Sequence, residues 1–395
     1  MAALKRKPAA DRSAPILPSV APAAPLAPLP DRVPIARPRL PTRAAIAPYL
    51  DRIDDARWYS NYGPLVTEFE SRMAARLGWR ASVVTLANGT VALTLALRAA
   101  GAKPGTLCLM PAWTFVASAH AAIEAGLTPY FVDVDPETWM LDPAATCAAI
   151  ARAPSEVGAV MPVAAFGRMP DLAAWRDVAD GTRLPVIVDG AAAFDALESA
   201  PVPVTVSLHA TKTVAAGEGG LVASGDHAFI DRVRSLTAFG FSGSRISHMP
   251  ATNAKLSEYG AAVALASLDG WPADRARFAF TAQRLKAGLA LTPQIAFQPG
   301  WGTQWVSSVC VVGTPPGAAA AMAATLAAMG VETREWWGVG CHRQPAFEHC
   351  PRAALPVTDA LAAATLGLPY FIDLEEDASA RIIESLHEAL KVAHG

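Results

Sequence analysis

Ser207-Leu208-His209-Ala210-Thr211-Lys212 stands between the β-branched run Val202 to Val206 and the glycine turn Gly217-Glu218-Gly219-Gly220. A lysine just past a strand and ahead of such a turn is placed for chemistry, because its amine can form a Schiff base with a carbonyl compound. An acidic partner stands upstream. Asp189 ends the apolar run Leu184-Pro185-Val186-Ile187-Val188, so both groups are expected at the carboxyl ends of adjacent strands, where open α/β sheets bind ligands. Taken singly, a loop lysine is a solvated charge and an aspartate after a strand is a turn or cap residue. Their conjunction, with the features that follow, points to a site.

The segment Ala81 to Thr90, ending Asn88-Gly89-Thr90, and then Val91 to Ala100, reads as strand, tight turn and helix. Gly89 lets the backbone approach an anion, and the free N–H groups of the first helical turn point at it. By itself Asn-Gly is simply a common turn. Beside a lysine and an acid it suggests pyridoxal phosphate (PLP), whose enzymes pair a Schiff-base lysine with an acidic group for the pyridine nitrogen.

Around these motifs strands and helices alternate: strands at Leu107 to Pro111, Pro129 to Val134, Ala159 to Val163 and Leu221 to Ser224, with helices near Phe115 to Ala125, Asp142 to Arg152 and Asp226 to Phe239. Such alternation means βαβ crossovers and a mostly parallel sheet, an α/β fold. Helices are also expected at Thr42 to Asp54, Leu65 to Leu77 and Leu256 to Leu268. Trp271-Pro272 marks a boundary, followed by a helix at Ala273 to Leu291, a strand at Trp305 to Val312 and helices at Pro316 to Met329 and Asp377 to Val392. The division is therefore an Ala/Pro-rich flexible tail over 1–33, a large domain over 34–271 and a smaller C-terminal α/β domain over 272–395.

A net charge of −2, without a Lys/Arg stripe, gives no electrostatic footprint for nucleic acid, which leaves a small molecule as the expected ligand. The five cysteines, Cys108, Cys147, Cys310, Cys341 and Cys350, include no C-x-x-C pair and are expected as reduced thiols in a cytoplasmic protein. Cys341-His342 with His349-Cys350 could be read as zinc ligands, but adjacent residues rarely aim at one ion, and no metal is expected. Lys5-Arg6-Lys7 runs into Pro8 rather than an apolar signal core, and the uncharged tract Ala287 to Val331 is broken by prolines and glycines, so neither a secretory signal nor a membrane span is expected.

In order along the chain, Tyr62-Gly63-Pro64 with Phe69-Glu70, Asn88-Gly89-Thr90 with Ala92-Leu93, Pro111 to Ala117, Phe131 to Asp135, Asp189, Ser207 to Lys212 with Gly217 to Gly220, Asn253 to Glu258, and Leu368-Pro369 resemble the DegT/StrS-type aminotransferases. These are fold type I PLP enzymes, and the likeness spans about residue 34 to the end. The resemblance implies a mostly parallel seven-stranded sheet in the large domain. It implies that Lys212 forms the internal aldimine and then shuttles protons, that Asp189 keeps the pyridine nitrogen protonated, and that Trp113 stacks on the cofactor ring. Gly89, Thr90 and Ser207 match phosphate-binding positions. Asn253 matches an asparagine that reaches the phosphate from the neighbouring subunit, which implies a homodimer with shared active sites. Arg334 is available for a carboxylate or a pyrophosphate, and His209 supports the cofactor loop.

Two departures stand out. Asp189-Gly190-Ala191-Ala192 replaces the usual Asp-Ala-Ala-Gln or Asp-Ala-Ala-His, removing a polar side chain at Ala192, and Trp336-Trp337-Gly338-Val339-Gly340-Cys341-His342 replaces a tyrosine-containing loop. The activity implied is transfer of an amino group from an amino acid, L-glutamate, to a 3-keto or 4-keto deoxysugar nucleotide, for surface polysaccharide, O-antigen or a glycosylated natural product. The rivals are a sugar dehydratase, which in this family carries histidine in place of the lysine, and a non-catalytic regulator, which would be expected to lose Lys212 or Asp189.

Overall fold

The computed structural model describes residues 32–78 and 81–394. The tail expected over 1–33 lies outside the described residues except for Arg32 and Val33, and Val33 is already buried. Two helices, α1 (Arg43–Ala56) and α2 (Pro64–Arg76), lead to strand β1 (Ser82–Leu86) and helix α3 (Gly89–Ala99). The alternation continues through β2 (Leu107–Pro111), α4 (Val116–Glu124), β3 (Thr128–Val132), α5 (Pro143–Ala151), β4 (Val157–Val160), α6 (Leu172–Thr182) and β5 (Val188–Asp189). Next come β6 (Val204–Ser207), β7 (Gly220–Ser224), α7 (His227–Thr237) and the long α8 (Glu258–Gly288). The chain ends with β8 (Ala296–Phe297), β9 (Cys310–Gly313), α9 (Ala319–Ala328), α10 (Pro356–Ala364), β10 (Thr365–Leu368) and α11 (Glu376–His394). Helix starts are set by short polar side chains that accept from orphan N–H groups: Asn88 from Val91, Asp142 from Ala145, Asp171 from Ala173, Asp226 from Phe229 and Ser257 from Gly260.

Strands β3-β2-β4 pair in parallel, and β1-β7-β6-β5 form a second group in which only β7 runs antiparallel to its neighbours. The single sheet expected from the sequence is thus two hydrogen-bonded groups of three and four strands. Parallel bridges Val160↔Val186 and Val163↔Asp189 join them, with Asp189 N–H donating to the Pro162 carbonyl at 2.8 Å. Alternation along each strand builds two apolar layers. Leu107, Leu109, Leu221 and Ala223 enter one core and Cys108, Met110 and Val222 the other, as a period of two requires of a sheet buried on both faces.

The C-terminal strands form a small antiparallel sheet in the order β10-β9-β8, with α11 packed on α9. Three local expectations are corrected. The helices foreseen on either side of Trp271-Pro272 are one, since α8 runs through Pro272; the expected boundary therefore falls inside a helix. Proline forfeits one backbone bond there, but Trp271 is buried edge-on against Phe194 at 5.4 Å, and this packing holds the helix through the exposed Pro272. The strand expected over Trp305 to Val312 begins only at Cys310, because Trp305 turns back to bridge Trp301 and donates its indole N–H to Pro299 at 3.1 Å. Helix α6, capped by Asp171, was not anticipated. Among the described residues no helix is long and apolar enough to cross a membrane.

Candidate active site

Strands β5 and β6 are parallel neighbours, with Asp189 opposite Thr205, so their carboxyl ends bring Asp189 and the Ser207–Lys212 loop together. That loop is closed by backbone bonds: Ala210 N–H to Gly217 O at 2.8 Å, Ala216 N–H to Leu208 O at 2.7 Å, and Lys212 N–H to His209 O at 2.8 Å. Asp189 is buried. Its Oδ2 accepts from Ser118 Oγ at 2.7 Å and its Oδ1 from Ala191 N–H at 3.1 Å; Ser118 in turn shares a 2.7 Å bond with Thr114. Burial raises the Asp189 pKa from its ordinary value, opposed by the Ser118 and Ala191 bonds and by the positive charge of Lys212. Burial likewise lowers the pKa of the Lys212 amine, opposed by Asp189. The two groups are thus electrostatic partners in a low-dielectric setting, which favours a lysine able to exist as a free base.

The start of α3 lies beside Ser207. A methyl group on Gly89 would come within 3.1 Å of Ser207 Cβ, and one on Gly220 would sit 2.6 Å from the Asn88 backbone. Glycine at 220 is therefore what lets β7 run against the backbone of the Asn88-Gly89-Thr90 turn. These elements open into one cavity of about 460 Å³, lined by Gly89, Thr90, Asp189, Ser207, His209 and Lys212. His209 Nδ1 bonds Thr211 at 2.9 Å and its Nε2 faces Glu218 at 3.7 Å.

Two expected residues are not in that wall. Trp113 is buried, with its ring edge-on to Trp337 at 5.4 Å and to Phe166 at 6.4 Å, and it does not line the cavity. The reason is register: beyond β2, Trp113 continues the face of Leu107 and Leu109 into the core. Phe115, two residues on and 57% exposed, faces the cavity instead. Asn253 is exposed, bridges Ala238 and accepts from Lys255 Nζ, and it does not line this cavity. Ala192 does line it, placing a methyl where a polar group was expected. The substituted loop brings Trp337 face to face with Phe166, centroids 3.9 Å apart, as a flat aromatic wall. Sequence reasoning missed Ser118, legible only as a hydroxyl one helical turn after Thr114, and Arg37, which lines the cavity without any sequence signal. Among the described residues no group of three or more His, Cys, Asp or Glu is placed to hold a metal ion, so Cys341, His342, His349 and Cys350 do not assemble one.

A buried acid, a lysine of lowered pKa and a helix N-terminus with a serine fit a flat nitrogen heterocycle carrying an aldehyde and a phosphate. The sequence profile of the DegT/DnrJ/EryC1/StrS aminotransferase family matches residues 42–387. The chain belongs to that family. It is a PLP-dependent aminotransferase. Among its relatives, a Mycobacterium bovis protein named Mb3436c is 31% identical over 376 residues, covering 91% of this chain and 90% of its own. The dTDP-3-amino-3,4,6-trideoxy-alpha-D-glucose transaminase of Streptomyces venezuelae is 31% identical, covering 89% and 92%. The structure of DesI in the presence of its TDP-sugar product superposes with a TM-score of 0.81 at 33% identity, covering 92% of this chain and 95% of that one.

Proposed function

We propose that this aminotransferase moves an amino group from an amino acid, glutamate, to a 3-keto or 4-keto deoxysugar carried on a nucleotide, in the cytoplasm and as a homodimer, in a route to polysaccharide or a glycosylated natural product. The observation that carries the reading is that buried Asp189 and half-buried Lys212 lie at the carboxyl ends of adjacent strands, line one cavity and act on each other electrostatically. Relatives named for nucleotide-sugar amination support the substrate class. When bound, PLP supplies the carbonyl that exchanges amines and the electron sink for the carbon that loses its proton. The chain supplies the rest. Lys212 would hold the cofactor through its amine and would serve as the base that carries the proton; its lowered pKa favours the basic form of that amine. Asp189, which accepts from Ser118 and the Ala191 N–H and is attracted by Lys212, would partner the ring nitrogen and supply the negative charge that favours its protonated form. The first turn of α3, through Gly89 and Thr90, would hold the phosphate with Ser207, and Asn253 would reach it from the neighbouring subunit. Phe115 replaces Trp113 as the residue proposed to cover the ring.

Retention of Lys212 and Asp189 speaks against the dehydratase and regulator readings. The test is to supply cofactor-loaded protein with glutamate and a panel of nucleotide-linked keto sugars, following 2-oxoglutarate and aminated sugar by mass spectrometry. Aminated product from one of them is expected. Failure to convert any keto sugar while glutamate still gives up its amine would overturn the acceptor class, and failure of glutamate itself would overturn the donor.

A further inference from the structure

Phe166 is held in a strained backbone conformation. The tight turn Ala164 to Gly167 puts Phe166 at φ 55°, ψ 14° and Gly167 at φ 115°. The left-handed region suits glycine, and a bulky aromatic stays there only where its surroundings outweigh the strain. Here those surroundings are indoles. Trp337 lies face to face with the Phe166 ring, centroids 3.9 Å apart and planes 21° from parallel, while Trp139 and Trp113 meet it edge-on at 6.1 and 6.4 Å. Trp139 and Trp113 belong to the core, whereas Trp337 is half-buried and comes from the loop that departs from the tyrosine-containing version. That loop is fixed by Gly340 N–H to Trp337 O at 3.0 Å and Cys341 N–H to Ala112 O at 2.9 Å.

The strained turn is tied to the strand end that carries the buried acid. Ala164 N–H donates to Asp189 O at 2.9 Å and Asp189 N–H to Pro162 O at 2.8 Å, so the segment leading into Phe166 holds both backbone groups of Asp189. Beyond Phe166, Gly167 is pressed against the loop that follows Asp189: a methyl on it would lie 2.9 Å from Ala192 O and 2.8 Å from Ser307 Cβ. A relaxing turn therefore pulls on the chain at Asp189 and just past it. We infer that Trp337 is a positioning residue for Asp189: by stacking on Phe166 it holds the Ala164–Gly167 turn, and through that turn it fixes the Asp189 carboxylate in the cavity. The inference rests on the reading of Asp189 as partner of the ring nitrogen and adds a residue that acts on it from a separate loop. Around the carboxylate, Lys212 from the loop after β6, the Ser118 hydroxyl from α4 and the Ala191 N–H are the groups that set its charge.

The test is a spectroscopic pH titration of the cofactor-loaded full chain, reading the midpoint at which the visible band of the bound cofactor changes. A negative charge held at the ring nitrogen favours the protonated form and raises that midpoint, so Trp337→Ala, which lets the turn relax, is expected to lower it by about one unit, the order of one weakened charge interaction. Trp337→Phe keeps a flat ring on Phe166 and should restore the wild-type midpoint. The deciding arm is Phe166→Gly. Glycine adopts the left-handed conformation without strain, so in that background the turn needs no stack, and adding Trp337→Ala should produce under about a third of its effect in the wild type. A Trp337 that acts by touching the cofactor would shift the midpoint equally in both backgrounds; that result overturns the inference, as does an unmoved midpoint in Trp337→Ala. Thermal melts check folding, and Trp337→Leu, which keeps bulk without the flat face, replaces Trp337→Ala should that variant not fold. Asp189→Asn is titrated alongside. A midpoint that falls with Asp189→Asn but not with Trp337→Ala sinks this inference alone, and one that Asp189→Asn leaves in place sinks the reading of Asp189 as well. No acceptor enters the titration, so its outcome is separate from that of the keto-sugar panel.

Discussion

Ser118→Ala is the sharpest probe of the Asp189 site. The Ser118 hydroxyl donates at 2.7 Å to a carboxylate that is 5% exposed, with only the Ala191 N–H as a second donor. A hydrogen bond to a buried charged group contributes roughly 1.5–3 kcal/mol, so its loss should raise the Asp189 pKa further. Burial already holds that pKa above its ordinary value of 3.8. Ionising the group therefore opposes folding: the cost is absent below 3.8, grows as the pH rises through the raised value, and is complete above it. In cofactor-free protein, urea denaturation should show Ser118→Ala about 2 kcal/mol less stable than wild type at pH 8.5, with the gap closing at a low pH, below the raised value, where the carboxyl is protonated. An equal gap at both pH values would refute the reasoning, because the hydroxyl would then serve packing and not the charge.

Other expected outcomes follow from the same geometry. Borohydride reduction of the cofactor-loaded enzyme should add the cofactor's mass to the peptide bearing Lys212, and Lys212→Ala should show neither that adduct nor amine transfer; an adduct on another lysine would reassign the role. Gly220→Ala places a methyl 2.6 Å from the Asn88 backbone, so it should cost about 1–3 kcal/mol in denaturant melts and weaken cofactor binding by titration; an unchanged affinity would show that the cradle does not depend on that approach. Trp113→Ala should lose about 3–5 kcal/mol of stability as a core truncation. Phe115→Ala should change stability by under about 1 kcal/mol, being exposed, while loosening the cofactor as followed by its visible band. The reverse pattern would restore Trp113 to the ring.

Lys212, Asp189 and the Asn88-Gly89-Thr90 turn were legible because each depends on local chain grammar: a strand's end, a glycine, a helix cap. Trp113 and Phe115 were not separable, since which of two aromatics faces a cavity depends on where β2 stops and on what fills the core behind it. Pro272 read as a break because proline weakens any isolated helix, and only the burial of Trp271 against Phe194 shows that packing outweighs one missing bond. Arg37 carried no signal, lying in a segment that reaches the cavity only through bonds to Glu332, Tyr370 and Asp274, more than 200 residues away.

What the sequence determined by itself was the α/β class, the pairing of amine with acid and the phosphate turn, since periodicity and short motifs act over a few residues. Tertiary structure alone decided which aromatic faces the cavity, how the strand groups join, and that Arg37 from the start of the described chain lines the cavity. Those outcomes are set by burial and charge balance among residues far apart in the chain, and they exist only once it has closed.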